Sequence, residues 1–131
     1  MIRLLLLLIA VGAIVLGVTR LHHTDACSGA SSAAFRIALG GDPADVAAVA
    51  HTIAVQCRGA SSLAIAVSAL RKAGRDRAAV ALARAAVRRE PENFATWVSL
   101  WLAEAPLNPA AANAARARAH ELNPRYAATA G

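Results

Sequence analysis

Two stretches rich in alanine and arginine, "ARAAVRREP" and "RARAHELNP", run into proline at Pro91 and Pro124, 33 residues apart. Proline lacks an amide donor and clashes with the preceding helical turn, so each marks an enforced helix stop. Other breaks punctuate the chain at regular, shorter intervals: "GGDP" at 40–43, "RG" at 58–59, "AGRD" at 73–76, "EPEN" at 90–93 and "APLNP" at 105–109. Asp42 is placed to cap a helix N-terminus with Pro43 in its first turn, and Gly74 suits a helix C-terminal cap. Between these signals lie stretches of about 11–15 residues rich in Ala, Leu, Val and Arg, without the alternation of strands. That composition favours helix. The chain therefore reads as an all-α domain of three antiparallel helix hairpins.

The hairpins repeat. A shift of 33 carries Ala79, Ala86 and Pro91 onto Ala112, Ala119 and Pro124, and the reverse shift carries Gly74 onto Gly41 and Ala83 onto Ala50. A period of 33–34 with two helices per unit is the mark of a helical solenoid. The pattern resembles the tetratricopeptide (TPR) repeat, whose units end in proline and carry small residues at set places on the second helix. The resemblance is best over residues 60–91, where "AGRDRAAVALARAAVRREP" holds the glycine, both alanines and the proline. It continues over 94–124 through "WVSL" and the Ala112, Ala119, Pro124 set, and is degenerate over 27–58. Trp101 stands where the family usually has glycine; it shares a face with Trp97, and both are expected to pack in the core. The units are expected at about 27–59, 60–93 and 94–125. The resemblance implies a right-handed solenoid, preceded here by one hydrophobic N-terminal helix.

That N-terminal helix is read from "MIRLLLLLIAVGAIVLGVTR", in which residues 4–19 carry no charge between Arg3 and Arg20. As a helix the run is about 24 Å long, against about 30 Å of bilayer hydrocarbon. It suits a short anchor over 1–21, with the arginine stems lying along the chain; a cleaved signal segment is the alternative. Lipidation at Cys27 is disfavoured because "TDAC" lacks the apolar residue such sites want. Residues 22–26 read as a polar linker to a domain over 27–131.

Arg3 and Arg20 flank the run almost symmetrically, so charge does not set its orientation. The cysteines do. Two cysteines after an export-like segment suggest a disulfide in an oxidising space, with a pair of buried thiols as the alternative. In an antiparallel first hairpin, Cys27 near its start and Cys57 at its end lie side by side. The domain is accordingly expected on the extracytoplasmic side, or secreted if the segment is cleaved.

Nothing in the chain reads as a catalytic constellation, so no enzymatic activity is expected. The carboxylates sit at helix ends and turns, where they cap or favour the N-terminal dipole. No serine or cysteine sits in a nucleophile motif. "GGDP" lacks the lysine and preceding strand of a phosphate loop. "HHTDAC" gathers His22, His23, Asp25 and Cys27, all of metal-ligating type, but in one short unframed segment; a solvated linker is the reading, with no metal or other cofactor. Fourteen Lys and Arg against eight Asp and Glu leave a net charge of +6. Without stacking aromatics or a groove-reading motif this does not indicate nucleic acid. It suits acidic partners, and Arg77, Arg84 and Arg88 on one face of the fourth helix are placed for anionic lipid head groups.

In the family the first helix of each unit lines a concave, peptide-binding face. Here that face would carry Ser28, Ser31 and Phe35, then Ser61, Ala64, Ser68, Arg71 and Lys72, then Ala95, Val98 and Leu102. The family's basic and asparagine-rich carboxylate clamp is absent. The expected role is non-catalytic binding of a protein or peptide, with Ser61, Ser68, Arg71, Lys72, Val98 and Leu102 as the groove. The alternative is a structural accessory subunit of a membrane or cell-envelope complex.

Overall fold

A computed structural model describes the backbone of residues 2–129 and the side chains of 13–18 and 26–126. The described chain is all-helical. Its elements are α1 (Ile2–Ala38), α2 (Val46–Gln56), α3 (Ala60–Lys72), α4 (Asp76–Arg89), α5 (Phe94–Glu104), α6 (Pro109–Leu122) and a closing 3₁₀ turn, Pro124–Thr129.

The first helix departs from expectation. Neither a linker at 22–26 nor a separate N-terminal helix is seen, because α1 continues unbroken for 37 residues. No glycine pair or proline interrupts it before Gly40, and single glycines such as Gly17 and Gly29 cost only about 1 kcal/mol each, too little to stop it. The uncharged run 4–19 lies mostly outside the described side chains. Among the described residues no helix is long and apolar enough to cross a membrane. Ile14, Val15, Leu16 and Val18 are exposed.

Two helices end alike. At the end of α1, Gly40 takes φ 103°, its amide bonds the Ile37 carbonyl, and the Gly41 amide bonds Arg36 O at 2.9 Å. At the end of α3, Gly74 takes φ 69°, its amide bonds Arg71 O, and the Arg75 amide bonds Leu70 O at 2.8 Å. Both are the paired cap in which a left-handed residue lets two amides turn back onto the last carbonyls. The structural counterpart of Gly74 is thus Gly40, and not the Gly41 that a shift of 33 selects. Gly41 is constrained for another reason: a Cβ there would meet Arg36 O at 2.9 Å.

Asp42 is not the cap of α2. Its carboxylate accepts from the Ala44 amide at 2.9 Å, forming a turn that delays the helix to Val46, with Asp45 at the cap position. Asn93 and Asn108 do cap α5 and α6, accepting from the amides of Ala95 and Ala111.

Burial follows the period read from the sequence. Val46, Ala79 and Ala112 are buried at intervals of 33, as are Ile53, Ala86 and Ala119 on the second helices. Ile37, Leu70 and Ala103 on the first helices are buried at the same interval. α3 is central, packing against α1, α2, α4 and α5, while α5 also packs on α4 and α6. Accordingly Leu63, Ala66, Val67, Ala69 and Leu70 are all buried. The third pair carries polar core residues instead: Thr96 and Ser99 are buried, and they donate to Asn93 O at 2.7 Å and Ala95 O at 2.9 Å. Such local back-bonding satisfies hydroxyls inside a helix pair.

The tryptophans are half-buried and not core residues as expected. Trp97 donates from Nε1 to Pro91 O at 2.7 Å, and the Trp101 ring lies under the Arg116 guanidinium at 5.2 Å. Each indole therefore fixes a surface junction: Trp97 the turn before α5, Trp101 the seam between α5 and α6.

Candidate binding site

Of the sequence-predicted groove residues, three line one pocket and three do not line it. Ser68, Arg71 and Lys72 converge on a pocket of about 370 Å³ with Ala38, Asp76 and Pro106. Ala38 ends α1, Ser68, Arg71 and Lys72 belong to the last turns of α3, and Pro106 follows α5, so the pocket sits where the three first helices end. Its charge comes from the basic residues that the last turn of α3 favours against the helix dipole. Ser68 is exposed, and its hydroxyl donates to Ala64 O at 3.1 Å. Lys72 is exposed, whereas Arg71 is half-buried, and its Nε is buried without a hydrogen-bond partner among the described residues. A buried donor left unpaired costs about 1–3 kcal/mol, which a bound acceptor would recover.

Ser61, Val98 and Leu102 lie outside this pocket. Ser61 is exposed, Val98 half-buried and Leu102 partly exposed. Phe35 is exposed on α1. Ser31 turns to the interior face of the first hairpin, donating to Ser62 at 3.2 Å.

That serine pair adjoins the cysteines. Cys27 and Cys57 form a disulfide with Cα atoms 5.3 Å apart, tying α1 to the end of α2. Sγ of Cys27 lies 4.0 Å from the Ser62 hydroxyl, and Sγ of Cys57 lies 4.0 Å from that of Ser31. Beside it, Arg89 of α4 donates to Ala54 O at 2.7 Å and to Cys57 O at 3.3 Å, satisfying carbonyls that the end of α2 leaves open. Sequence reasoning missed this clamp. Its only local signal, a basic residue in the last turn of α4, points to that helix's own dipole and not to a neighbour.

The arginine face also differs from expectation. Arg77 and Arg88 are exposed, but Arg84 donates from Nε to Glu104 Oε1 of α5 at 3.0 Å. Glu104 stands at the end of α5, where the sequence puts a carboxylate, and is buried there. Packing of α4 on α5 brings the carboxylate under the guanidinium, so Arg84 is committed to the fold. On the far side, Arg118 bridges Glu121 at 2.9 Å and Glu92 at 3.5 Å. The Glu121 hydrogen bond raises the affinity of that guanidinium for its proton.

His22, His23 and Asp25 lie outside the described side chains, and among the described residues no group of ligand-type side chains could hold a metal ion. Cys27 is engaged in the disulfide. No protein-family model, curated protein or solved structure matches this chain.

Proposed function

We propose that the chain is a membrane-tethered, extracytoplasmic TPR-like module that binds a peptide or protein segment without covalent chemistry. In this reading α1–α2, α3–α4 and α5–α6 are three successive hairpins of a right-handed solenoid, and the ends of α1, α3 and α5 line its binding face. The observation that carries the reading is the pocket at Ser68, Arg71 and Lys72, where Arg71, its Nε buried and unpaired, meets Lys72 beside Asp76 at the ends of three helices. The recurrence of buried positions at 33 residues supports the repeat. The uncharged run 4–19 supports the tether, and the disulfide supports an oxidising compartment. Of the arginines expected to meet anionic lipid, Arg77 and Arg88 are exposed and Arg84 is taken by Glu104.

The test is photocrosslinking from Ser68 in native membranes, comparing the native chain with Arg71→Ala, Lys72→Ala. Loss of one discrete adduct in the double variant is the expected result. An adduct that persists unchanged would show that Arg71 and Lys72 do not hold the partner.

A structural accessory subunit is the second reading, favoured by the exposure of Phe35, Leu39 and Val55 on the first hairpin. A chain released after Arg20 should remain monomeric as a binding module and aggregate as a subunit.

A further inference from the structure

Between α2 and α4 runs a second groove, of about 450 Å³, walled by Ala47, Ala50 and Ala54 on one helix and Ala78, Ala81 and Ala85 on the other. Each set follows the i, i+3, i+7 spacing of a single helical face. Two rows of methyl groups leave a recess into which larger side chains of another helix fit over about two turns. The polar residues along it are His51 and Arg75, and no carboxylate lines it. At the far end, Arg88 continues the Ala81–Ala85 row by one turn and Arg58 follows the end of α2. Both are exposed, and neither pairs with a carboxylate among the described residues.

We infer that this outer groove docks a helix of a different protein, one whose apolar ridge is flanked by aspartate or glutamate. The cationic rim selects the acidic flanks. A second copy of this chain does not supply them. Its exposed apolar side chains lie in the uncharged run (Ile14, Val15, Leu16, Val18), beside arginine (Phe35), on α2 itself (Val55), in turns outside the helices (Leu39, Leu107), or beside a glutamate already taken by Arg84 (Leu102). A bilayer does not fit either, because interfacial faces present projecting Trp, Phe or Leu, and here the apolar surface is recessed alanine. The groove lies apart from Arg71 and Lys72 and does not depend on the reading of that pocket.

The probe is a designed helical peptide with leucine at the a and d heptad positions and glutamate beside them, together with a twin carrying lysine instead. Anisotropy is measured with the full chain in neutral detergent. The glutamate peptide is expected to bind, with affinity falling as salt rises, and the lysine twin to bind at least about tenfold more weakly. Ala81→Phe, which fills the groove from an exposed position, should weaken binding by about tenfold or more. Ala114→Phe, exposed on α6, should not, and neither should Arg71→Ala, Lys72→Ala. Circular dichroism checks the fold of each variant. Failure of the glutamate peptide to bind, equal binding of the twins, or an Ala81→Phe protein that folds and binds normally would overturn the proposal. Capture by phosphatidylglycerol nanodiscs through this face, without peptide binding, would assign it to a bilayer and also overturn it.

Discussion

Arg84 on α4 and Glu104 on α5 form an ion pair in which one partner is exposed and the other is not: their side chains are 55% and 4% exposed. The asymmetry sets the consequence of breaking it. Arg84→Ala strands a buried carboxylate, whereas Glu104→Gln leaves an acceptor for the guanidinium and removes the charge. Arg84→Ala should therefore cost about 1–3 kcal/mol in urea unfolding, toward the lower end because water reaches the guanidinium side. Glu104→Gln should cost less. Equal losses would show that water serves the carboxylate as well as arginine does.

The disulfide closes a loop across a sequence separation of 30. In the chain-entropy model such a loop stabilises the fold by about 3–4 kcal/mol, a large share of the roughly 5–15 kcal/mol typical of a domain. Reduction should raise amide exchange in α2 before it does so in α3–α6. Intact mass with thiol alkylation, on protein from its native compartment, checks the bond itself. Two alkylatable cysteines there would remove both the bond and the main ground for an extracytoplasmic location.

Arg89 and the disulfide both hold the end of α2. Arg89→Ala removes both carbonyl contacts and should cost about 1–2 kcal/mol, since the group is partly exposed. Its effect should grow after reduction, when packing of Ile53 and Cys57 is the other restraint at that end. A double cycle of Arg89→Ala against Cys27→Ser, Cys57→Ser measures the coupling, and strict additivity would show that the two act on separate motions.

Gly74→Ala forces a Cβ into a left-handed position that costs about 1–2 kcal/mol, with no neighbour to clash. Gly41→Ala is different: φ is permissive there, but the new methyl presses on the Arg36 carbonyl. Thermal melts should show a loss for both. A fully rescued Gly74→Asn would confirm the conformational cause, because asparagine tolerates that region and still carries a side chain.

The helices and most of their ends were legible because their causes are local. Pro91, Pro124 and Gly74 act on the backbone within a turn of where they stand, whereas the caps at Asn93 and Asn108 lie in stretches that read only as turns. Even so, Asp42 misled: its carboxylate accepts from the Ala44 amide in a turn, and the helix starts only at Val46. The break anticipated at 22–26 rested on polarity alone, and polarity does not stop a helix.

By itself, the sequence determined an all-helical chain, its 33-residue recurrence of small residues and the pairing of Cys27 with Cys57, which followed once an antiparallel hairpin put their helix ends together. Tertiary structure decided which charges are spent. Arg84, Arg88 and Arg89 stand within six positions on one arginine-rich helix. One neutralises a buried glutamate, one caps another helix, and one faces solvent. The chain order of α4 cannot distinguish them, because each role depends on which neighbour its helix face meets, and that is set by how α2, α3 and α5 dock around it.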